Sequence, residues 1–235
     1  TRIATGIIKW CLNNFKKYVF LTEAMNVVNE RKRPYIVMEG MSDRFMATYK
    51  RPFEAKDIKV VMYAGGLHER YGLKKLTEAF MMLPQENFRL KLFGSGPFVE
   101  KLKTKYTKKD SRIQYMGVAP NAEVVAAELD ASLLVNPRPT HEEFTKYSFP
   151  SKNIEYMASG TPLLTTKLPG MPKEYYPYVF LIENESVEGY AKALESVLAQ
   201  SDEELYVFGE KAKDFVLEKK NSFEQAKRVI ELIKL

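Results

Sequence analysis

The chain has 235 residues, of which 45% are hydrophobic and 28% are charged, and its formal net charge is +6. This composition is typical of a soluble globular protein, without an apolar run near the ~20 residues that span a membrane and without a signal peptide. The single Cys11 excludes an internal disulfide and predicts a cytoplasmic location, while the scattered positive charge excludes nucleic acid and favours small acidic partners.

Residues 1–58 are the less regular part of the sequence. Apolar residues such as Ile3 and Ile7 follow a loosely helical spacing, and short apolar runs at residues 18–21 and 35–38 predict two strands. These strand-helix units are incomplete and have no obvious sheet of their own. Residues 46–58 are predicted to form a linker to the following domain.

From residue 59 onwards, apolar runs alternate regularly with helical patterns. Such alternation predicts a doubly wound, parallel, six-stranded sheet of the Rossmann type, and its ligand site is expected beyond the carboxyl ends of the strands. The domain is predicted to span residues 59–221. Its strands are expected at residues 60–64, 88–93, 113–116, 131–135, 163–166 and 178–182.

The last predicted element is an amphipathic helix over residues 222–235. Ser222 and Gln225 have the spacing of a capping box, and apolar residues recur on one face of the helix. We expect that face to pack against a neighbouring segment, for which residues 3–15 are a candidate.

The segment from Tyr147 to Thr166 carries the strongest chemical pattern. Pro150 and Ser151 predict a helix start with Ser151 as a candidate cap, and Gly160 is a helix-ending glycine. Unpaired backbone N–H groups at a helix start attract phosphate, and Lys152 adds a positive charge there. Glu155, about one turn later, can accept two hydrogen bonds from the hydroxyls of a ribose. Nucleotide binding and an ordinary amphipathic helix with a solvated Lys and Glu both fit this pattern.

Two stretches of this segment, Ser-Phe-Pro-Ser-Lys and Glu-Tyr-Met-Ala-Ser-Gly-Thr-Pro, closely resemble the donor site of retaining GT-B glycosyltransferases. The similarity runs from about residue 18 to the end and is greatest to the bacterial branch that builds surface polysaccharides. The resemblance implies that Glu155 holds the donor ribose. It also implies that a second glutamate of the family, near the donor sugar, is replaced here by Tyr147. Main-chain groups of Ser148, Phe149, Pro150 and Ser151 would position the phosphates and the sugar.

The first glycine turn, Gly65-Gly66, does not fit a dinucleotide fingerprint, because no Gly-x-Gly-x-x-Gly pattern follows. In the resembling family this turn carries an arginine and a lysine that contact the diphosphate. Those positions hold Gly66 and Tyr71 in this chain. Arg70 or Lys152 would then supply the positive charge, and Gly65 with Gly66 would let the backbone approach the donor. A plain tight turn is the alternative.

Four further residues lie at or shortly after the ends of predicted strands. Gly94 would lie beneath the nucleotide base, and the resemblance places Tyr115 and Met116 beside that base. Arg138 is a candidate contact to a phosphate or a sugar, with a surface salt bridge as the alternative.

The sequence contains no convincing metal site. His141, Glu142 and Glu143 are adjacent, but neighbouring carboxylates are more typical of a solvated loop, and there is no His-x-x-x-His, paired cysteine or Asp-x-Asp. We therefore expect transfer without a metal ion or other cofactor, with the helix dipole and Lys152 in place of the metal.

Together these observations predict the donor-binding half of a retaining GT-B glycosyltransferase that uses a UDP-sugar. Its other partners would be a glycan or lipid-linked acceptor, the missing part of an N-terminal acceptor domain whose remnant is residues 1–58, and the inner face of the membrane. A nucleotide-sugar-binding module without catalysis is the first alternative. A dinucleotide-dependent oxidoreductase domain is the second, although Phe93-Gly94 stands where it would need an acidic residue.

Overall fold

The computed structural model describes residue 8 and residues 10–235. The expectations that concern Ile3 and Ile7 lie outside the described residues. The strands are β1 (Tyr18–Phe20), β2 (Tyr35–Val37), β3 (Lys59–Ala64), β4 (Phe88–Phe93), β5 (Ile113–Gly117), β6 (Leu133–Asn136), β7 (Leu163–Thr166) and β8 (Phe180–Ile182).

Strands β3 to β8 form one parallel sheet in the order β5-β4-β3-β6-β7-β8. This confirms the predicted Rossmann-type α/β fold. The chain winds outwards from β3 to one edge and then from β6 to the other edge. The strand order therefore reverses between β3 and β6, which is where open parallel sheets bind ligands.

Helices cover both faces of this sheet. They are α1 (Leu73–Met81), α2 (Phe98–Lys101), α3 (Thr107–Lys109), α4 (Asn121–Asp130), α5 (Ser151–Ser159), α6 (Val187–Leu198), α7 (Asp202–Lys219) and α8 (Ser222–Lys234). A π-helical turn, Leu102–Tyr106, joins α2 to α3, and 3-10 turns occur at Glu23–Val28, Arg44–Thr48, Glu69–Tyr71, Glu143–Lys146 and Lys173–Tyr178. No helix within the described residues combines the length and the apolar character needed to cross a bilayer.

The central strand β3 shows why two cores form. Successive side chains of a strand point to opposite faces, so Val61 and Tyr63 pack on one side with α1 and α6. Val60, Met62 and Ala64 pack on the other side with α5 and α7. All five side chains are buried, which explains the uninterrupted apolar run in the sequence.

The N-terminal segment has a sheet after all. Strands β1 and β2 pair in parallel, with Tyr18 opposite Tyr35, a pairing that was not predicted. Each strand has only three residues and their pairing needs a crossover connection, so no local pattern announces it.

The last helix begins at Ser222, as expected, but its N-cap is a different residue from the predicted one. Asn221 is the N-cap, and its side chain accepts hydrogen bonds from the backbone N–H groups of Phe223 and Glu224. The predicted capping box at Ser222 is therefore wrong, because Asn221 is the N-cap and the Gln225 N–H donates to Asn221 O rather than to the Ser222 hydroxyl.

Helix α8 packs against the N-terminal segment. Arg228 donates to the carbonyl oxygen of Val37 at 2.7 Å, and the Gln225 amide donates to that of Gly40 at 2.9 Å. These polar contacts do not bury the apolar face that was expected to pack: Phe223, Ile230 and Ile233 are exposed, so that expectation is wrong for the described residues. The proposed domain boundaries after residues 58 and 221 stay predictions.

Candidate functional site

A cleft of about 210 Å³ lies at the carboxyl ends of β3 and β4, beside the first turn of α5. Lys152 and Glu155 both line it, and both are half-buried rather than enclosed by neighbouring side chains. The other lining residues are Ala64, Gly65, Phe93, Gly94, Val118, Ala119, Asn121 and Val124. The structure therefore brings together the two side chains that the sequence singled out, at the edge of the sheet where a ligand is expected.

The start of helix α5 leaves backbone donors without a side-chain cap. Pro150 occupies the N-cap position and Ser151 is the first helical residue, so the expected capping by Ser151 does not occur. Proline has no side-chain acceptor, and no side chain accepts a hydrogen bond from this turn. Asn153 N donates to Pro150 O at 2.9 Å; the first N–H groups of the helix and the positive end of its dipole lie beside Lys152, an arrangement suited to an anion. We call it the anion-binding element.

Gly65 makes room for Lys152. A Cβ atom on Gly65 would lie 2.6 Å from Cε of Lys152, and the φ angle of Gly65 is +152°, so only glycine fits at this position. The lysine side chain therefore crosses directly over the turn after β3. Within the described residues Lys152 has no carboxylate partner, and its Nζ lies 5.8 Å from the centroid of the Tyr156 ring.

Tyr156 fixes α5 to the end of β3. Its buried hydroxyl accepts a hydrogen bond from Ala64 N at 2.8 Å and donates one to Ala64 O at 3.1 Å. Tyr156 is one residue after Glu155 and one turn after Lys152. This pair of bonds therefore sets the position of both cleft residues relative to the strand.

Glu128 of α4 is a member of this region that sequence reasoning missed. It is fully buried, and neither of its carboxylate oxygens has a hydrogen-bond partner in the described part of the chain. The pKa of Glu128 is raised to about 8, chiefly by burial and also by the charge of Glu155, against the opposing effect of Lys152. The available signal was its spacing of three residues from buried Val125, which places both on the inner face of α4.

The glycine turn Gly65-Gly66 lies at the carboxyl end of β3, beside the cleft. Gly65 N donates to Phe93 O at 3.0 Å, which holds the ends of β3 and β4 together, and Gly94 lines the cleft. Gly66 is exposed, close to His68 and Tyr71. The turn thus contacts the cleft through Gly65, while Gly66 faces the adjoining loop.

Tyr115 and Met116 do not line the cleft. The Tyr115 hydroxyl donates to Gly94 O at 3.0 Å, and Met116 is exposed. Residues further along, Val118, Ala119 and Asn121, occupy the cleft wall that these two were expected to form. A contact of Tyr115 or Met116 with a base stays a prediction.

The loop before α5 is held by its own contacts. Tyr147 is exposed, the Ser148 hydroxyl donates to Phe144 O at 2.9 Å, and Phe149 packs on Tyr175 with ring centroids 5.1 Å apart. Arg70 and Arg138 lie together beside this loop, outside the cleft that contains Lys152.

No group of three side chains suited to hold a metal ion occurs within the described residues. His141 lies 3.8 Å from a carboxylate oxygen of Glu142 and 3.9 Å from one of Glu185, on an exposed loop. Transfer without a metal ion stays a prediction.

In sequence the chain is similar to known glycosyl transferases. The sequence model of the family described as "Glycosyl transferases group 1" matches residues 47–234, well over half of the chain. A curated relative, "Putative colanic acid biosynthesis glycosyltransferase WcaL" of Escherichia coli (strain K12), is 30% identical over 112 residues, which cover 46% of this chain and 27% of the relative.

Solved structures share the fold at low sequence identity. Sucrose-phosphate synthase from Thermosynechococcus elongatus has a TM-score of 0.75 and 18% identity, with 100% of this chain and 61% of the other covered. The Anabaena protein Alr3699/HepE, solved in complex with UDP and glucose, has a TM-score of 0.72 and 14% identity, with 99% of this chain and 66% of the other covered. The chain thus spans about a quarter of its curated relative and about two thirds or less of these structures.

Proposed function

The chain belongs to the group 1 glycosyl transferases and has their GT-B type of fold, and on this basis we propose that it binds a UDP-sugar as the donor-binding part of a retaining transferase. The observation that carries the proposal is the position of Lys152 and Glu155. Both line one open cleft at the carboxyl ends of β3 and β4, next to the point where the order of the sheet reverses, and both follow the uncapped start of α5.

In this proposal the donor diphosphate lies against the first turn of α5 and the ammonium group of Lys152. Negative charge grows on the leaving diphosphate as the bond to the sugar breaks. A preorganised donor and dipole at that point therefore stabilise the transition state more than the bound substrate. Lys152 and the helix start would act as the electrostatic catalyst, with no proton transfer required of them.

Glu155 would hold the other half of the nucleotide. A carboxylate accepts hydrogen bonds only, so it suits the paired hydroxyls of a ribose. Glu155 lies one helical turn beyond Lys152 on the same face of α5. A ligand bound by both residues would therefore extend from the diphosphate at the helix start to the ribose beside Val118 and Asn121.

The acceptor and the biological role follow from the family and are likewise proposals. We propose a glycan or lipid-linked acceptor in surface polysaccharide synthesis, which the printed name of the E. coli relative supports. Transfer would need an acceptor-binding domain in addition to the N-terminal segment described here. The hydroxyl of the acceptor would attack on the face from which the diphosphate leaves, which retains the anomeric configuration.

A thermal unfolding panel with UDP, GDP, ADP and NAD tests the proposal. A ligand that binds only the folded state raises the unfolding temperature, and at 100 times its Kd it adds about 2.7 kcal/mol. We expect the largest shift with UDP. A shift with NAD alone would indicate the oxidoreductase alternative, and no shift with any nucleotide would refute nucleotide-sugar binding.

A further inference from the structure

Two arginines share a pair of aromatic rings beside the cleft. The guanidinium carbon of Arg138 lies 5.0 Å from the ring centroid of Tyr71 and 5.6 Å from that of Phe144. The corresponding distances for Arg70 are 5.1 and 6.0 Å. We call these four residues the arginine cluster. Cation–π contacts hold both side chains in place, although the two charges repel each other.

The charges of the arginine cluster are not neutralised by the protein. Within the described residues neither Arg70 nor Arg138 forms an ion pair with a carboxylate, and the buried Nε of Arg138 has no hydrogen-bond partner. Burial lowers the pKa of Arg138; Tyr63 and Tyr71 raise this pKa, and Arg70 lowers it further. An external anion would supply the opposite charge that this arrangement lacks.

Nearby carboxylates are engaged elsewhere. Glu69 pairs with Lys101 at 2.8 Å, and both oxygens of Glu185 accept hydrogen bonds from the backbone N–H of Thr140 at 3.1 Å. Tyr147, on the neighbouring loop, is uncharged and exposed. Glu78 and Glu142 line the same pocket as Arg70. Within the described residues neither of them forms an ion pair with an arginine of the cluster.

The backbone of Arg138 is fixed before any ligand binds. Its carbonyl oxygen accepts a hydrogen bond from the Thr166 hydroxyl at 2.5 Å, and the carbonyl oxygen of Pro137 accepts one from the Tyr190 hydroxyl at 2.8 Å. Tyr190 is completely buried. A guanidinium held in this way loses little conformational entropy when it binds an anion.

The cluster is separate from the anion-binding element at Lys152. Neither arginine lines the cleft, and the turn Gly65-Gly66 lies between the two places. On one side of the turn Lys152 crosses Gly65, and on the other Tyr71 contacts Gly66. A ligand whose diphosphate lies at Lys152 would thus reach the arginines only through a group attached beyond the phosphates.

We propose that the arginine cluster is a second anion subsite, which binds a carboxylate carried by the transferred sugar. The donor would then be an acidic nucleotide sugar of the uronate class. Two guanidinium groups match a carboxylate through short, charge-assisted hydrogen bonds. This inference rests on the proposed donor-binding function and adds the chemical class of the sugar.

Calorimetric titration with UDP, UDP-glucose and UDP-glucuronate tests the inference. We expect the chain to bind UDP-glucuronate about tenfold or more tightly than UDP-glucose, the effect of one charge-assisted hydrogen bond. Arg138→Gln should abolish that difference. Arg70→Gln, which changes an exposed side chain, should reduce it and provides the test if Arg138→Gln fails to fold. Lys152→Ala should weaken the binding of all three ligands by the same factor.

Three results would overturn the inference, and they are distinguishable. If the chain binds UDP but has equal affinity for UDP-glucose and UDP-glucuronate, the inference of an acidic sugar is refuted and the proposed function is not. If Arg138→Gln weakens the binding of UDP as strongly as that of UDP-glucuronate, the cluster binds the diphosphate instead. Absence of binding by UDP and by both sugar nucleotides refutes the proposed function, and the inference falls with it.

Discussion

The hydroxyl of Tyr156 bridges both backbone groups of Ala64, accepting from its N–H at 2.8 Å and donating to its carbonyl oxygen at 3.1 Å. The side chain is completely buried. The end of the central strand is thereby joined to the helix that carries Lys152 and Glu155. The geometry of the cleft depends on this one side chain more directly than on any single apolar contact.

Tyr156→Phe should therefore lower both stability and nucleotide affinity. It removes a donor and an acceptor from a buried position, and an unsatisfied buried polar group costs about 1–3 kcal/mol. Urea unfolding measures the loss of stability. Tyr178→Phe keeps its stacking on Phe215, at a centroid distance of 4.3 Å, and is the matched control. Equal stability of Tyr156→Phe and the control would contradict the structural role of the bridge.

Lys152→Ala should weaken UDP binding by about 1.5–3 kcal/mol, which is roughly 10- to 150-fold in Kd, because a charge-assisted hydrogen bond to phosphate is lost. Titration calorimetry measures the change. Lys108→Ala removes an equally charged but exposed lysine and controls for the net charge of the chain. An unchanged Kd in Lys152→Ala would remove this residue from the site.

Glu128→Gln should change how stability depends on pH. The pKa of Glu128 rises in the folded chain to about 8 from an ordinary value of 4.5, because burial disfavours the charged form. The folded state therefore keeps the proton between these pH values while the unfolded state releases it. The stability of the parent chain, measured relative to the variant, should fall by roughly 3 kcal/mol between pH 5 and pH 8.

Urea unfolding of the parent chain and of Glu128→Gln across this pH range provides the measurement. The neutral amide does not titrate, so this component of the pH dependence should be missing from the variant. Parallel pH profiles of the two proteins would show that the burial of Glu128 has no energetic consequence.

Gly72→Ala should destabilise the chain more than Gly117→Ala. Both glycines have positive φ angles, 85° and 76°, so each alanine should cost about 1–2 kcal/mol of backbone strain. A Cβ on Gly72 would also lie 1.8 Å from Pro137 O, whereas one on Gly117 meets nothing within 4 Å. Comparing the thermal unfolding of Gly72→Ala with that of Gly117→Ala separates the cost of the steric clash from the cost of the backbone strain. Equal losses would mean that the loop carrying Arg138 adjusts without cost.

Much of the fold could be predicted because the strands of the main sheet are continuous apolar runs. Residues 163–166 were placed correctly by such a run alone, since a strand buried on both faces has no alternating pattern to misinterpret. The cleft could be anticipated as far as Lys152 and Glu155, because both belong to one helix whose start is visible in Pro150.

The rest of the fold and of the site could not be predicted, because it depends on contacts between residues that are far apart in the sequence. Arg70 and Arg138 are 68 positions apart and meet only because the loop after β6 lies against the turn before α1. By the resemblance, Tyr71 stands where the family has a positively charged residue. In the structure its ring packs against both arginines. Likewise, the spacing of Glu128 from Val125 places both on one face of α4, but only the tertiary packing shows that this face is buried.

The most direct test of the account compares UDP with its 2′-deoxy analogue, titrated into the parent chain and into Glu155→Ala. If Glu155 holds the ribose hydroxyls beside a diphosphate bound at Lys152, the parent chain should prefer UDP by about tenfold, and the variant should bind both ligands with the same weakened affinity. The same preference in both proteins, or no binding of UDP to the parent chain, would contradict the proposed site.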